Sequence, residues 1–120
     1  MDLIKNIYLN LIIELLRVFL LVIFCHFAGD YLLQTDYMAK EKGNSKWVMT
    51  AHCFCYCLPF LICFGIRWQL FLILISHFII DSGKCKGWYS LFFDQYFHIV
   101  IALSYIFPVF TEGNWRLMNL

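Results

Sequence analysis

Three pairs of histidine and aspartate, each four positions apart, are the residues of this chain whose types and spacing could do chemistry. The pairs are His26 with Asp30, His77 with Asp81, and Asp94 with His98. Positions i and i+4 share one face of an α-helix, so each pair can direct two side chains to one point. A fourth histidine, His52, lies alone in another apolar segment. Because ionisable groups inside hydrophobic helices are costly, their presence there is a functional hypothesis.

Imidazole and carboxylate groups together favour a divalent transition metal such as zinc, manganese or iron. The expected ligands are the four histidines and the three paired aspartates: His26, Asp30, His52, His77, Asp81, Asp94 and His98. Helical bundles hold dinuclear centres with comparable one-turn pairs, and one carboxylate of a pair can instead orient a ligating imidazole. A metal with an open position acidifies a bound water, which can then attack an ester or a phosphate.

Catalytic roles are expected for Asp30, Asp81 and Asp94, since a carboxylate left without metal would act as the general base. Two glutamines, Gln34 and Gln95, are candidates for orienting ligands or contacting substrate. The lysines near the site would attract an anionic lipid head group. These are Lys40, Lys84 and Lys86.

The polar residues are also compatible with roles that involve no catalysis. The pairs could be hydrogen-bonding contacts between helices, each neutralising its partner, or they could form a pathway for protons or divalent cations. A haem held by two histidines fits less well, because three of the histidines have a carboxylate one turn away. The six cysteines include no CxxC pair, so we treat them as small buried hydrophobic residues rather than ligands or disulfide partners.

The elements that must position these residues have the composition of a membrane protein. Of the 120 residues, 62% are hydrophobic and 14% are charged, and the mean hydropathy is +0.74. A soluble domain of this length has too much surface for that composition. The net charge of +1, with no basic stripe, argues against nucleic acid as a partner. We expect the first apolar run to be a retained membrane helix, because it lacks the cleavage site of a signal peptide.

The hydropathy pattern predicts an all-α membrane protein with four transmembrane helices in an up-down bundle. The expected helices cover about residues 11–33, 46–64, 68–82 and 88–107. They form a single domain over residues 1–120, in which Pro108 would close the last helix. Gly29, beside Asp30, would let two helices approach closely.

The distribution of lysine and arginine predicts the orientation. The loops after the first and third expected helices contain Lys40, Lys42, Lys46, Lys84 and Lys86. The opposite side carries Lys5, Arg67 and Arg116. The positive-inside rule then places the lysine loops in the cytoplasm and both termini outside. All seven candidate ligands fall in the half of the bilayer next to the lysine loops, most of them roughly 5–18 Å below that surface at 1.5 Å per residue.

Five short motifs follow one another along the chain. They are His26-x-x-Gly29-Asp30-x-x-Leu33-Gln34, Met38-Ala39-Lys40, His52, His77-Phe78-x-x-Asp81 and Asp94-Gln95-x-x-His98. In this order they resemble a family of small bacterial and phage membrane proteins of unknown function, over about residues 22–101. The resemblance implies a multi-pass inner-membrane protein and brings no reaction, substrate or cofactor. A looser likeness to predicted membrane-bound metal-dependent hydrolases is an analogy only.

From the residues we expect a metal-dependent hydrolase or transferase that acts on a lipid or phospholipid head group at the cytoplasmic face. A transport protein for divalent cations or protons is one alternative, and a non-catalytic membrane interaction module of bacterial or phage origin is another. Membrane lipid is the expected partner. A bundle this small is also expected to form a homo-oligomer, because it offers little protein to surround a polar core.

Overall fold

The computed structural model describes residues 1–111, which form helices and short connections without a strand. In chain order the elements are α1 (Asp2–Phe27), a π-helical segment (Ala28–Leu32), α2 (Asp36–Glu41), α3 (Lys46–Phe64), α4 (Trp68–Cys85), α5 (Leu91–Ala102), a 3₁₀ turn (Leu103–Ile106) and α6 (Phe107–Thr111). Helix α1 packs against α3 and α5, and α4 packs against the same two helices. Arg116, which we assigned to the outer side, lies outside the described residues.

Three helical stretches within residues 1–111 are long and apolar enough to cross a membrane. They are Asp2–Leu32, Lys46–Phe64 and Leu91–Thr111. The prediction of an all-helical chain with several membrane helices is confirmed to that extent. The fourth expected span, 68–82, is present as the 18-residue α4 but does not meet the same standard of hydropathy. Its polar residues, such as Gln69, His77 and Asp81, explain the shortfall.

The ends of the helices follow local capping. The Ser45 hydroxyl accepts a hydrogen bond from the Val48 N–H at 3.4 Å, so α3 occupies the expected 46–64. The Ser90 hydroxyl accepts from the Phe93 N–H at 3.5 Å, which starts α5 at Leu91 rather than at 88. Gly65 ends α3 with a φ of 73°, a conformation that favours glycine.

Two helical stretches lie outside the apolar segments from which the helices were predicted. Helix α1 begins at Asp2 instead of about 11, because the polar residues of this stretch are compatible with a helix although they interrupt its hydropathy. The polar stretch 35–46 contains the short helix α2, which starts where the Thr35 hydroxyl accepts from the Met38 N–H at 3.1 Å. Hydropathy alone predicts neither feature.

Pro108 does not close the last helix, because it lies buried inside α6 directly after the 3₁₀ turn. A proline has no N–H for the carbonyl four positions earlier, which is that of Ser104. The side-chain amide of Gln69 donates to this carbonyl at 3.4 Å. The Ser104 carbonyl also accepts from the Phe107 backbone N–H, and helical geometry continues to Thr111.

The two ends of the bundle differ in what they bury. At the end where α3 stops, the core is apolar and aromatic, with the Phe64 and Tyr105 rings stacked at 4.3 Å and Phe60 fully buried. At the end where α1 stops, the buried side chains are mainly histidine and aspartate.

Gly29 sets the distance between α1 and α3 at this polar end. A Cβ added to Gly29 would lie 2.5 Å from the Tyr56 carbonyl oxygen, closer than real Cβ contacts allow. The close approach expected at Gly29 is therefore present. It occurs inside the π-helical segment, where the Leu33 N–H donates to the Ala28 carbonyl at 3.0 Å. π-helical turns of this kind are frequent at functional sites.

Candidate metal centre

Four helical elements bring the seven predicted ligand residues into one connected group of buried side chains. None of the seven is more than 5% exposed. The stretch formed by α1 and the π-helical segment supplies two, α3 one, and α4 and α5 two each: His26, Asp30, His52, His77, Asp81, Asp94 and His98. The one-turn spacing seen in the sequence thus converges on a single place.

Three of these residues form a triangle with the dimensions of a metal site. The His52 Nε2 and His77 Nε2 atoms are 3.0 Å apart, and Asp30 Oδ1 lies 3.4 Å from the first and 3.7 Å from the second. Tetrahedral ligands at about 2.0–2.1 Å from zinc are about 3.3 Å from one another. The three atoms are therefore spaced as ligands of one ion would be.

Two further groups of three could hold a metal, and both overlap the first. One contains Asp30, Asp94 and His98, and the other contains His77, Asp81 and His98; in each, the ligand atoms lie within 4.8 Å of one another. The His98 Nε2 atom is 3.2 Å from Asp94 Oδ1, and its Nδ1 is 3.2 Å from His77 Nδ1. Each group shares Asp30, His77 or His98 with the others, so the three groups are overlapping parts of one cluster.

Several of these atoms approach another polar atom without forming a hydrogen bond. Asp94 Oδ1 and His98 Nε2 lie 3.2 Å apart, yet neither has a hydrogen-bond partner among the described residues. Asp81 Oδ1 and His52 Nδ1 also have no hydrogen-bond partner among the described residues. Buried polar atoms are nearly always paired, since leaving one unpaired costs roughly 1–3 kcal/mol. A cation between a ring nitrogen and a carboxylate oxygen would satisfy both, so the donor atoms fit a metal.

Gln95 connects the carboxylates in a second layer of fully paired atoms. Its Nε2 donates to Asp30 Oδ2 and to Asp94 Oδ2, both at 2.9 Å. Its Oε1 therefore accepts from the His26 Nε2–H at 2.8 Å, which leaves His26 Nδ1 to accept from the Tyr56 hydroxyl at 3.0 Å. Gln95 thus bridges two of the predicted ligands and His26; that it orients ligands rather than contacts a substrate stays a prediction.

His26 belongs to this second layer and not to the groups that could hold a metal. Both of its ring nitrogens are hydrogen-bonded, one to Gln95 and one to Tyr56. The structure therefore brings His26 to the cluster but does not free a nitrogen of its ring for an ion.

Two residues of the cluster were missed by the sequence analysis. Lys42 is 8% exposed, and its Nζ lies 2.6 Å from Asp81 Oδ2 and 3.3 Å from His52 Nε2. Nothing in the sequence distinguishes it from the other lysines of its loop. The ring of Tyr56 stacks on that of His77 at 3.8 Å. Tyr56 lies four positions after His52, and this spacing could have indicated it.

The remaining predicted site residues lie at the margin of the cluster or outside it. Lys84 Nζ is 3.7 Å from Asp94 Oδ2, whereas Lys40 is exposed on α2. Lys86 lies over the Trp88 ring at 4.8 Å. Gln34 makes no hydrogen bond to the cluster within the described chain, and its buried amide oxygen has no partner. Gln34 lies four positions after Asp30 and would share its face in a regular α-helix. The π-helical segment and the end of the helix at Leu33 interrupt that helix before Gln34.

The comparison with protein families matches residues 18–119 to a family described as "Protein of unknown function (DUF3307)". The chain belongs to this family. The resemblance to a family of unknown function is thereby confirmed, and the matched range includes every residue of the cluster. No curated protein and no solved structure matches the chain.

Proposed function

We propose that this member of the DUF3307 family is a membrane enzyme that uses a divalent transition metal to hydrolyse or transfer a lipid or phospholipid head group. The observation that carries the proposal is the triangle of Asp30 Oδ1, His52 Nε2 and His77 Nε2, with edges of 3.0, 3.4 and 3.7 Å. A purely hydrogen-bonded core would pair its buried atoms, as the side chains of Gln95, His26 and Tyr56 do. Beside the triangle, Asp81 Oδ1, Asp94 Oδ1 and His98 Nε2 are instead unpaired within the described chain. Zinc, manganese and iron all accept imidazole together with carboxylate.

The side chains divide into roles on this proposal. Asp30, His52 and His77 hold the first ion, and Asp94 with His98 can complete a second position next to Asp30. When bound, the metal supplies an acidified water as the nucleophile. Asp81 is then the carboxylate left without an ion, and we assign it the role of general base. Its ion pair with the Lys42 ammonium keeps this carboxylate in place at the cluster.

The proposed setting is a bundle of four spans, with α4 as the fourth beside the three more apolar ones. An 18-residue helix is about 27 Å long, close to the roughly 30 Å of a bilayer core. The lysines of the loops before α3 and after α4 support a cytoplasmic position for the metal centre in an inner membrane, with both termini outside. The exposed apolar side chains at the start of α1, such as Leu3 and Ile4, are a candidate surface for homo-oligomer contacts.

The transport alternative is less well supported. A path through one subunit would have to cross the aromatic core at the other end, where Phe60 and Tyr105 are fully buried and Phe64 is 4% exposed. Flux of protons or of zinc into liposomes containing the purified protein would revive that alternative. We expect no flux above that of empty liposomes.

The decisive experiment is elemental analysis of protein purified in a mild detergent without chelators. We expect at least one zinc, manganese or iron ion per chain in the wild type, and its loss in His77→Ala and Asp30→Asn. The matched control is Ser76→Ala, which changes the residue next to His77 on α4 and should keep the metal. A metal-free wild type, with both variants as stable as the control, would refute the metal centre.

Catalysis needs its own test. Protein reconstituted with phosphatidylglycerol and phosphatidylethanolamine should convert one of these lipids to a product detectable by lipid mass spectrometry. Chelation should abolish the reaction, and Asp81→Asn should reduce it by at least 100-fold while the metal stays bound. If Asp81→Asn turns over at the wild-type rate, Asp81 is not the base.

A further inference from the structure

A depression of three consecutive parts follows the outer surface between α3 and α4. The part farthest from the metal centre has a volume of about 420 Å³ and an apolar lining that includes Phe54, Leu58, Leu61, Leu70, Phe71 and Leu74. The middle part, of about 250 Å³, shares Phe54 and Leu74 with it and reaches Phe78. Phe78 also lines the third part, a cleft of about 290 Å³ next to the α2–α3 connection.

The cleft differs from the rest of the depression in its charge. Lys42, Lys46 and Lys86 line it, together with Ser45 and Ser82, and none of the residues that line it in the described chain is acidic. The first turn of the 19-residue α3 also borders the cleft, and its free backbone N–H groups add positive potential. The depression is therefore amphiphilic, with an apolar groove that leads into a basic cleft.

We propose that this depression binds one anionic phospholipid, with an acyl chain in the groove between α3 and α4 and its phosphate among Lys42, Lys46 and Lys86. The dimensions support this occupant. From Thr50 to Leu61 the groove follows twelve residues of α3, and the eleven steps between them rise about 16 Å at 1.5 Å per residue. Half of a bilayer core is about 15 Å thick, so one acyl chain of one leaflet fits that length.

The side chain of Lys42 lies between the cleft and the metal centre. Lys42 lines the cleft, while its Nζ contacts Asp81 Oδ2 at 2.6 Å and His52 Nε2 at 3.3 Å. A phosphate in the cleft would therefore lie next to the proposed general base and would compete with Asp81 for the Lys42 ammonium. The inference deepens the proposed function by naming an anionic phospholipid as its substrate class, and it rests on that function only for the reaction, since binding requires no metal.

The test counts the lipids that remain on the protein after extraction from bilayers of equal phosphatidylglycerol and phosphatidylcholine, by native mass spectrometry. We expect one phosphatidylglycerol per wild-type chain, retained at least tenfold over phosphatidylcholine. The Lys46→Gln/Lys86→Gln double variant should lose this selectivity. Leu74→Trp should fill the groove and remove the lipid, and Ile75→Trp, at an exposed position of the same groove, repeats the test with less risk to folding.

Two control variants make the same kinds of substitution away from the depression. Lys5→Gln takes a lysine from the far end of α1, and Leu20→Trp adds an indole to the exposed face of α1; both should retain the lipid as the wild type does. Equal retention of the two lipids by the wild type would overturn the inference, as would unchanged retention in both tryptophan variants. A wild-type dimer that Leu74→Trp converts to a monomer would assign the groove to a second copy and would overturn it too.

Repeating the count on chelator-treated protein separates this inference from the metal proposal. We expect one retained phosphatidylglycerol with or without the metal. Protein that purifies without metal but keeps the lipid would refute the proposed function and leave the lipid site intact. Protein that contains metal but keeps neither lipid would refute the lipid site and leave the proposed metal centre intact.

Discussion

The polar end of the bundle contains two adjacent layers that satisfy their buried atoms in different ways. In the Gln95 layer, formed by Gln95, His26 and Tyr56, the side-chain polar atoms are joined by hydrogen bonds with a clear donor and acceptor, from the Tyr56 hydroxyl through His26 to Gln95. The ligand layer is formed by Asp30, His52, His77, Asp81, Asp94 and His98. Its imidazoles contact one another nitrogen to nitrogen, at 3.0 and 3.2 Å. Asp81 Oδ1, Asp94 Oδ1 and His98 Nε2 have no hydrogen-bond partner among the described residues.

On the proposed function, the difference predicts that only the ligand layer depends on an ion. The Gln95 layer needs only the protons of its own side chains, so it can form in the absence of metal. The ligand layer has more acceptors than donors, because each neutral imidazole provides a single N–H. We therefore expect metal to order the ligand layer, whereas the Gln95 layer positions Asp30 and Asp94 beforehand.

The largest effect should come from Gly29→Ala, which disturbs both layers at once. The new Cβ would lie 2.5 Å from the Tyr56 carbonyl oxygen and 2.9 Å from its Cα, and backbone atoms cannot move aside as a side chain can. We expect the free energy of unfolding to fall by about 3 kcal/mol or more, at the upper end of overpacking effects. Thermal unfolding in detergent, followed by circular dichroism, measures this change.

Gly43→Ala is the matched control for this prediction. Its Cβ would meet only the Cys85 side chain, at 3.2 Å, which can shift by a few tenths of an ångström. We expect a change within about 1 kcal/mol. An equally small fall in the free energy of unfolding in both variants would contradict the prediction. It would show that α1 and α3 are farther apart at Gly29 than a Cβ contact of 2.5 Å requires.

Metal removal should have the next largest effect and should act on the ligand layer alone. A ligand present at 100 times its dissociation constant stabilises the folded state by about 2.7 kcal/mol. Chelation should therefore lower the unfolding temperature of the wild type by several degrees, and it should leave His77→Ala unchanged. The same drop in both proteins would mean that the chelator acts elsewhere.

The difference between the layers also explains how much of the site could be predicted from the sequence. The i, i+4 pairs predict the ligand layer because a regular helix fixes the relative direction of His77 and Asp81, and of Asp94 and His98. They do not predict that His26 is hydrogen-bonded at both nitrogens, because Tyr56 and Gln95 come from other helices. Contacts between helices depend on their rotation, which spacing within one helix does not determine.

The fold shows the same limit. Hydropathy predicts the apolar helices, and turn residues such as Ser45 and Gly65 predict where α3 starts and ends. The π-helical segment after Phe27 leaves no mark in the hydropathy pattern, although it contains Asp30 and ends before Gln34. The burial of Lys42 is equally a product of the fold, since the neighbouring Lys40 and Lys46 are exposed.

Gln95→Met should have an intermediate effect that links the two layers. Methionine has a similar size but cannot donate to Asp30 and Asp94 or accept from His26, so the ligands stay present while their orientation is lost. Loss of such outer contacts typically weakens metal binding by 10- to 100-fold. Competition with a chromophoric zinc chelator measures the affinity.

Gln34→Met is the control, because Gln34 lies outside the network. This variant should bind zinc as the wild type does. An equal loss of zinc affinity in both variants would place Gln34 in the site after all.

Tyr56→Phe should give the smallest effect, and it tests whether the hydroxyl or the ring of Tyr56 matters to the ligand layer. The variant keeps a ring to stack on His77 but loses the hydrogen bond to His26 Nδ1. We expect the free energy of unfolding to fall by about 1 kcal/mol, with less than a tenfold loss of zinc affinity.

Tyr105→Phe is the control for that variant, because the Tyr105 hydroxyl is buried without a hydrogen-bond partner in the described chain. Removing an unpaired buried hydroxyl should be neutral or slightly stabilising. If Tyr56→Phe instead abolished zinc binding, the hydroxyl would act on the metal through His26 far more strongly than an outer contact does. The boundary between the two layers would then have to be moved, with His26 on the ligand side.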